Sequence, residues 1–326
     1  MTTTTAATTA ATTLPRLRAR GKDMDTSAAA FGFLRRSDDI AADGDALRDR
    51  FAEDGYLYLP GALDREAVRA ARVSVLERAR DEGILEEPWE GGVLKENRNP
   101  YFRPAYTRDN PAIHEVVYGE RMLDVFARVL GGEVLHFDYT WLRAVGPGHG
   151  TAPHCDVVYM GRGTHELLTA WTPLGDIPLE VGGLMVLEGS HRRSRERMAD
   201  YLAQDVDTYC ENGPNAEKVR SGEMHWEHWD GSFRAWDGAI SHDPVALRES
   251  LGGRWLTSPD YRMGDVLIFS MQTVHASIDN QTNLLRLSTD TRYQRADQPV
   301  DERWINGPNG EEPIAHGLAG KRGKIC

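Results

Sequence analysis

The sequence predicts a mainly β fold, a sandwich or barrel, entered through a helical segment. Three observations carry this. Short apolar runs separated by Gly, Pro and Asp turns fill the chain from about 134 to 294. Residues from about 45 to 131 instead show the longer period of amphipathic helices. The 326 residues, 40% hydrophobic and 27% charged, match an ordinary soluble globule with material for a sizeable core. We expect a disordered tail over 1–30 and a single domain over 31–326. That domain comprises a helical part at 45–131, a β core at about 134–294 interrupted by an insertion at 204–255, and a C-terminal extension at 295–326.

Each element has its own local warrant. Asp45 to Gly55 reads as a short helix with Leu47, Phe51 and Ala52 on one face. Tyr56-Leu57-Tyr58-Leu59 follows as a strand that Pro60-Gly61 breaks. Asp64 starts a longer helix to about Asp81, with Val68, Ala71, Val73, Val75 and Leu76 as buried candidates. Residues 84–111, rich in Pro, Gly, Asn and Arg, read as an irregular loop. Arg121 to Leu130 is a helix stopped by Gly131-Gly132. Strands are expected at Val134–Val145, Leu167–Thr172, Leu184–Leu187, Asp265–Phe269 and Leu284–Tyr293, with a further helix at Arg193–Leu202. The insertion is long, polar and aromatic, with Trp226, Trp229, Trp236 and Trp255. A segment of that length without periodicity but with apolar rings to bury suggests a functional insertion.

Composition excludes several classes. A net charge of −12 offers no concentrated basic patch for nucleic acid. No apolar run approaches a membrane span. Cys155, Cys210 and Cys326 are few, odd in number and widely spaced, which indicates neither a disulfide framework nor a zinc knuckle. Met1 to Lys22 is Thr/Ala-rich with Arg16, Arg18, Arg20 and Lys22, a composition that overlaps with a transit peptide; a low-complexity tail is the simpler reading. We expect a cytoplasmic protein. Its oligomeric state is not readable.

The chemistry is concentrated in His154-Cys155-Asp156, His275 and Arg286. On a strand, His154 and Asp156 would share a face and Cys155 would point away. An isolated His-x-Asp is usually a surface hydrogen-bonded pair. Here His275 follows an apolar strand, and two imidazoles with one carboxylate suit iron(II), leaving three octahedral positions open for a cosubstrate and O2. Arg286, eleven residues beyond His275, would offer a dicarboxylate a permanent charge and a planar two-pronged clamp.

Longer stretches sharpen this. Pro153-His154-Cys155-Asp156, Ala170-Trp171-Thr172-Pro173-Leu174 and Gly182 to His191 are three of them. Gly264-Asp265-Val266, His275 with Arg286 and Arg292, and the entry segment Phe51-x-x-Asp54-Gly55-Tyr56-Leu57 are others. With these the chain, over roughly Asp45 to Gln294, resembles the phytanoyl-CoA dioxygenase family of iron(II)/2-oxoglutarate oxygenases. The resemblance implies a double-stranded β-helix, a cupin-like jelly-roll barrel with the metal in its mouth. It implies that His154, Asp156 and His275 hold Fe(2+), and that Arg286 takes the far carboxylate of 2-oxoglutarate with help from Ser277. Trp171 would line the cosubstrate pocket and Lys95 would add a basic group from before the barrel. His225, Trp226 and Trp229 would meet the substrate. Gly189-Ser190-His191 reads as a structural turn, without the nucleophile elbow that a catalytic serine needs. Related enzymes that halogenate lack the carboxylate, so Asp156 implies hydroxylation, or a desaturation or cyclisation variant. The substrate expected is a small polar metabolite or natural-product intermediate. Two other classes stay open: a jelly roll that binds a ligand without catalysis, and another mononuclear metal enzyme such as a zinc hydrolase or cupin-type isomerase.

Overall fold

The computed structural model of the chain describes residues 14–96, 98, 100–207 and 237–313. Eight helices stand among them: α1 (Gly44–Asp54), α2 (Arg65–Asp81), α3 (Pro111–Tyr118), α4 (Glu120–Leu130), α5 (Val157–Met160), α6 (Ser190–Arg197), α7 (Ala199–Leu202) and α8 (Pro244–Leu251). The strands are β1 (Arg18–Ala19), β2 (Lys22–Asp23), β3 (Phe31–Phe33), β4 (Tyr56–Leu59), β5 (Tyr101–Phe102), β6 (Val134–His136), β7 (Trp141–Val145), β8 (Leu168–Pro173), β9 (Ile177–Pro178), β10 (Leu184–Leu187), β11 (Trp255–Thr257), β12 (Asp260–Tyr261), β13 (Val266–Ser270), β14 (His275–Ser277) and β15 (Arg286–Arg295).

The helices begin and stop where their caps require. The Asp64 carboxylate accepts from the N–H groups of Glu66 and Ala67 and so starts α2. Val68, Ala71, Val75, Leu76 and Ala79 then fall on one buried stripe. Asp43 caps α1 in the same way. That helix ends at Gly55, whose φ of 76° favours glycine. A Cβ there would also run into the His191 ring, so no other residue fits.

Two sheets face each other. The larger runs β4-β13-β8-β15-β7-β5, with β6 also on β15. The smaller runs β14-β10-β11-β3, antiparallel except for the β11–β3 pair. Strand alternation sorts their side chains. Leu168, Ala170, Val266, Ile268, Leu287 and Tyr293 of the larger sheet pack against α1 to α4. Trp171, Leu267 and Phe269 face the other way and meet Leu184, Val186 and Leu256 of the smaller sheet. Each fully buried side chain of this size stabilises the fold by roughly 1.5–3 kcal/mol. Met185, Leu187 and Trp255 form a third cluster with Cys155, Val274 and Trp304 on the outer side of the smaller sheet.

Several expectations need correction. The strand expected at Val134–Val145 is two strands: Phe137 N–H donates to Arg292 O and Asp138 N–H to Trp304 O, so the chain leaves one ladder between them. The helix at 193–202 starts earlier and breaks at Met198, where φ is −132°. Val73 is only half-buried. Within 84–111 the chain forms β5 and two short 3-10 turns. Residues 14–30 are ordered rather than part of a tail. The β1–β2 hairpin gives the Asp279 carboxylate two backbone N–H donors, Arg20 at 2.9 Å and Gly21 at 2.7 Å. The insertion is shorter than expected at its far end, since α8 and β11 belong to the packed fold and Trp255 is a buried strand residue. Trp226, Trp229, Trp236 and His225 lie outside the described residues. Ser190 is structural: its Oγ accepts from Val274 N–H at 2.9 Å.

A candidate metal centre and its anion pocket

His154, Asp156 and His275 are buried and offer ligand atoms that all lie within 4.8 Å of one another. The Nε2 atoms of both histidines stand 3.8 Å from Asp156 Oδ1. Each imidazole is oriented from behind. His154 Nδ1 is 2.8 Å from Ala152 O and His275 Nδ1 is 3.0 Å from Thr273 O. A carbonyl can only accept, so Nδ1 carries the proton and Nε2 turns its lone pair to the centre.

The local backbone that does this is not the expected strand. His154 forms an isolated antiparallel bridge with His275, with both N–H···O bonds at 3.0 Å. Asp156 has helical dihedrals and starts α5. The two ligands therefore converge through a bridge followed by a turn, not through strand alternation. Cys155 does point away, its thiol reaching Gln272 O at 3.3 Å, and burial pushes that thiol well above its usual pKa.

Burial pulls the His154 pKa down to about 3 and lowers that of His275, so both rings are neutral lone-pair donors. Burial alone would raise the pKa of Asp156. The charge of Arg292, with the hydrogen bond from the Thr169 hydroxyl, opposes this, and the carboxyl is held well below its ordinary range. Three buried bases around a shared point, one of them anionic, fit a divalent cation.

The inner face of β15 extends the site. It presents Arg286, Ser288, Asp290 and Arg292 at every second position, all buried. Arg292 is paired with Asp156 at 3.0 Å, and Asp290 with Arg143 of β7 at 3.1 Å. Among the described residues no carboxylate contacts Arg286. Its Nη1 donates to the Gly182 carbonyl at 2.7 Å, and its buried Nε has no partner, nor has the Ser288 hydroxyl two residues on. Burial drags the Arg286 pKa down to about 10. A buried, unpaired guanidinium is costly unless an anion completes it. These unpartnered donors suit a carboxylate.

The other expected residues divide. Ser277 lies on β14 beside His275, and its Oγ accepts from Thr151 N–H at 2.7 Å. Trp171 packs between the sheets with its ring 4.7 Å from that of Tyr261. Lys95 is not brought to the site: it is exposed and its ammonium donates to Gly83 O at 3.0 Å. Sequence reasoning missed Thr169, Arg143 and Asp290. The alternation Arg286-x-Ser288-x-Asp290-x-Arg292, which places charged and hydroxyl side chains on one face of a buried strand, was the available signal for Asp290.

Residues 51–244 match the phytanoyl-CoA dioxygenase family. The chain belongs to this family. It is 30% identical over 272 residues to a 1-deoxypentalenic acid 11-beta-hydroxylase of Streptomyces exfoliatus, covering 78% of this chain and 82% of the relative. Two solved structures share its fold at 20% identity. One is the non-heme alpha-ketoglutarate-dependent carbocyclase SnoK from nogalamycin biosynthesis, with a TM-score of 0.53 over 81% of this chain and 87% of that one. The other is the epimerase SnoN in complex with Fe3+, alpha-ketoglutarate and nogalamycin RO, with a TM-score of 0.50 over 86% and 98%. This membership makes the protein an oxygenase, and the Streptomyces exfoliatus relative is named as a hydroxylase. No helix among the described residues is long and apolar enough to cross a membrane.

Proposed function

We propose that this oxygenase hydroxylates an unactivated C–H bond of a small polar metabolite or natural-product intermediate, releasing succinate and CO2. His154, Asp156 and His275 are the residues that would hold the iron. Arg286 would hold the far carboxylate of 2-oxoglutarate, with Ser277 and Trp171 along the same pocket. The observation that carries this reading is the unequal pairing of three inner arginines: among the described residues Arg143 and Arg292 have carboxylates, and Arg286 has only a neutral carbonyl. When bound, iron with 2-oxoglutarate and O2 supplies the oxidising power. The chain's own part is to orient both imidazoles, fix the Asp156 carboxylate and bury the site away from water.

The strand orders support reading the fold as a double-stranded β-helix. β7-β15-β8-β13 form one wall, and the His154 bridge with β14-β10-β11 forms the other. The natural-product side of the substrate expectation draws on the relative that hydroxylates 1-deoxypentalenic acid. His225, Trp226 and Trp229 remain proposed substrate contacts. Supporting this, the chain re-enters the described region against the ligand segment: Ile240 N–H donates to Pro153 O at 2.8 Å, and Tyr159 OH to Asp237 O at 2.7 Å. We propose a cytoplasmic enzyme without nucleic-acid or membrane partners, in keeping with its acidic charge and few cysteines.

Anaerobic titration with iron(II) and then 2-oxoglutarate tests the reading. A weak visible charge-transfer band is expected in the parent and none in His275→Ala, which should stay folded. A band of parental strength in His275→Ala would exclude His275 as a ligand. Tight zinc binding with no response to 2-oxoglutarate would favour a hydrolase or isomerase, and no metal binding at all a simple ligand-binding protein.

A further inference from the structure

The two oxygens of Asp156 have different surroundings. Oδ1 faces both imidazoles, 3.8 Å from each Nε2. Oδ2 faces away and accepts from the Thr169 hydroxyl and from Arg292 Nη2, the latter at 3.0 Å. The register explains why both donors reach one oxygen: Arg292 on β15 and Thr169 on β8 are direct cross-strand partners. The guanidinium is held in place by the Trp141 ring, whose centroid lies 4.2 Å from its central carbon. Its Nε and Nη1 are buried without partners, so no other acceptor draws Arg292 away from Asp156.

We infer that Arg292, with Thr169, is a positioning residue that restricts Asp156 to a single metal-facing oxygen. The inference rests on the reading of Asp156 as an iron ligand. A free carboxylate can bind a cation through one oxygen or both. If both bound, one more coordination position would be filled, at the expense of the three that a facial triad leaves for cosubstrate and O2. Two hydrogen bonds on Oδ2, one of them charge-assisted, oppose that change. The residue never needs to touch cosubstrate or substrate; it acts through Asp156.

The test uses cobalt(II) alone as the first probe and 2-oxoglutarate on the cobalt-loaded protein as the second, without O2. The proteins are the parent, Thr169→Val, Arg292→Lys and Arg292→Met, each with its melting temperature recorded. In the cobalt-loaded parent crystal, Asp156 is expected to bind through Oδ1 alone, with Oδ2 still on Thr169 and Arg292. In Arg292→Met and Thr169→Val the visible cobalt spectrum should change before 2-oxoglutarate is added. The 2-oxoglutarate Kd should rise about tenfold or more, the scale of such supporting contacts. Arg292→Lys should recover part of that loss. A residue needed only to neutralise a buried charge would lower the melting temperature and leave the spectrum and the Kd alone. Should Arg292→Met fail to fold, Thr169→Val, which keeps side-chain shape, decides. Cobalt bound at the three residues with parental spectrum and Kd in the variants that fold overturns this inference alone. So does a parent in which Asp156 already binds through both oxygens. Cobalt absent from the three residues in the parent overturns the metal-centre reading, and this inference with it.

Discussion

Arg303 and Arg286 are both buried, and they sit in opposite circumstances. Arg303 is enclosed by carboxylates: it donates to Asp301 through Nε and a second nitrogen, to Asp207 through a third, and Asp205 is 3.7 Å away. Burial there opposes the charge, but Asp301 and Asp207 more than offset it and hold the pKa above the usual arginine range. Among the described residues Arg286 meets one carbonyl and no carboxylate, and burial lowers its pKa to about 10. Burial of an arginine therefore says little by itself. The paired one ties the C-terminal extension to residues 205–207, and the one without a carboxylate keeps a donor for a ligand.

The comparison can be broken most directly at Arg303. Arg303→Met strands buried carboxylates and should destabilise the protein by about 3–5 kcal/mol, seen in urea or thermal unfolding. The fraction that folds should bind 2-oxoglutarate like the parent; a loss of that affinity would show that the two regions are not independent. Next in size is ligand stabilisation. Cobalt(II) with 2-oxoglutarate at a hundredfold excess over Kd should stabilise the parent by about 2.7 kcal/mol. Arg286→Met should lose the part due to 2-oxoglutarate, yet melt no lower than the parent when ligand-free. Arg286→Lys sharpens the point. It keeps charge and loses the fork, so calorimetry should find 2-oxoglutarate weaker by roughly 1.5–3 kcal/mol, about one to two decades. Unchanged affinity would mean that Arg286 is not the anion partner.

The remaining prediction concerns pH. His154 and His275 have folded pKa values below the ordinary 6.5, about 3 for His154. Between those limits the unfolded chain binds more protons than the folded one. Ligand-free stability should therefore be full above about pH 6.5 and fall as the pH drops toward 3. His154→Gln should show a shallower fall in melting temperature over that window. An identical slope would place the titrating group elsewhere.

How much of this is legible in the sequence depends on how local the cause is. The α2 stripe needs only helical period and Asp64, and both are in one short stretch. The break after β6 depends on the Arg292 and Trp304 carbonyls, far downstream, and no local pattern announces it. Spacing and resemblance name the residues of the candidate metal centre but not their geometry, because the bridge between His154 and His275 is a long-range pairing. Lys95 offers only its charge as a signal, and a charged loop side chain commonly ends in solvent. The Arg303 network joins residues 96 positions apart, so it leaves no signal in either segment.

The N-terminal hairpin has a practical consequence for anyone shortening this chain. Arg20 and Gly21 hold Asp279, and Gln281 holds Arg16 O at 2.9 Å, so the hairpin braces the connection between the strand of His275 and the strand of Arg286. The family match starts at residue 51. A chain cut at that point would lose the hairpin and β3, leave Asp279 without these two donors and uncover the edge of β11. The spacing between the two halves of the pocket would then rest on a loosened loop. The unit that folds begins upstream of the unit that the family pattern outlines, and affinity tags or truncations belong before residue 14.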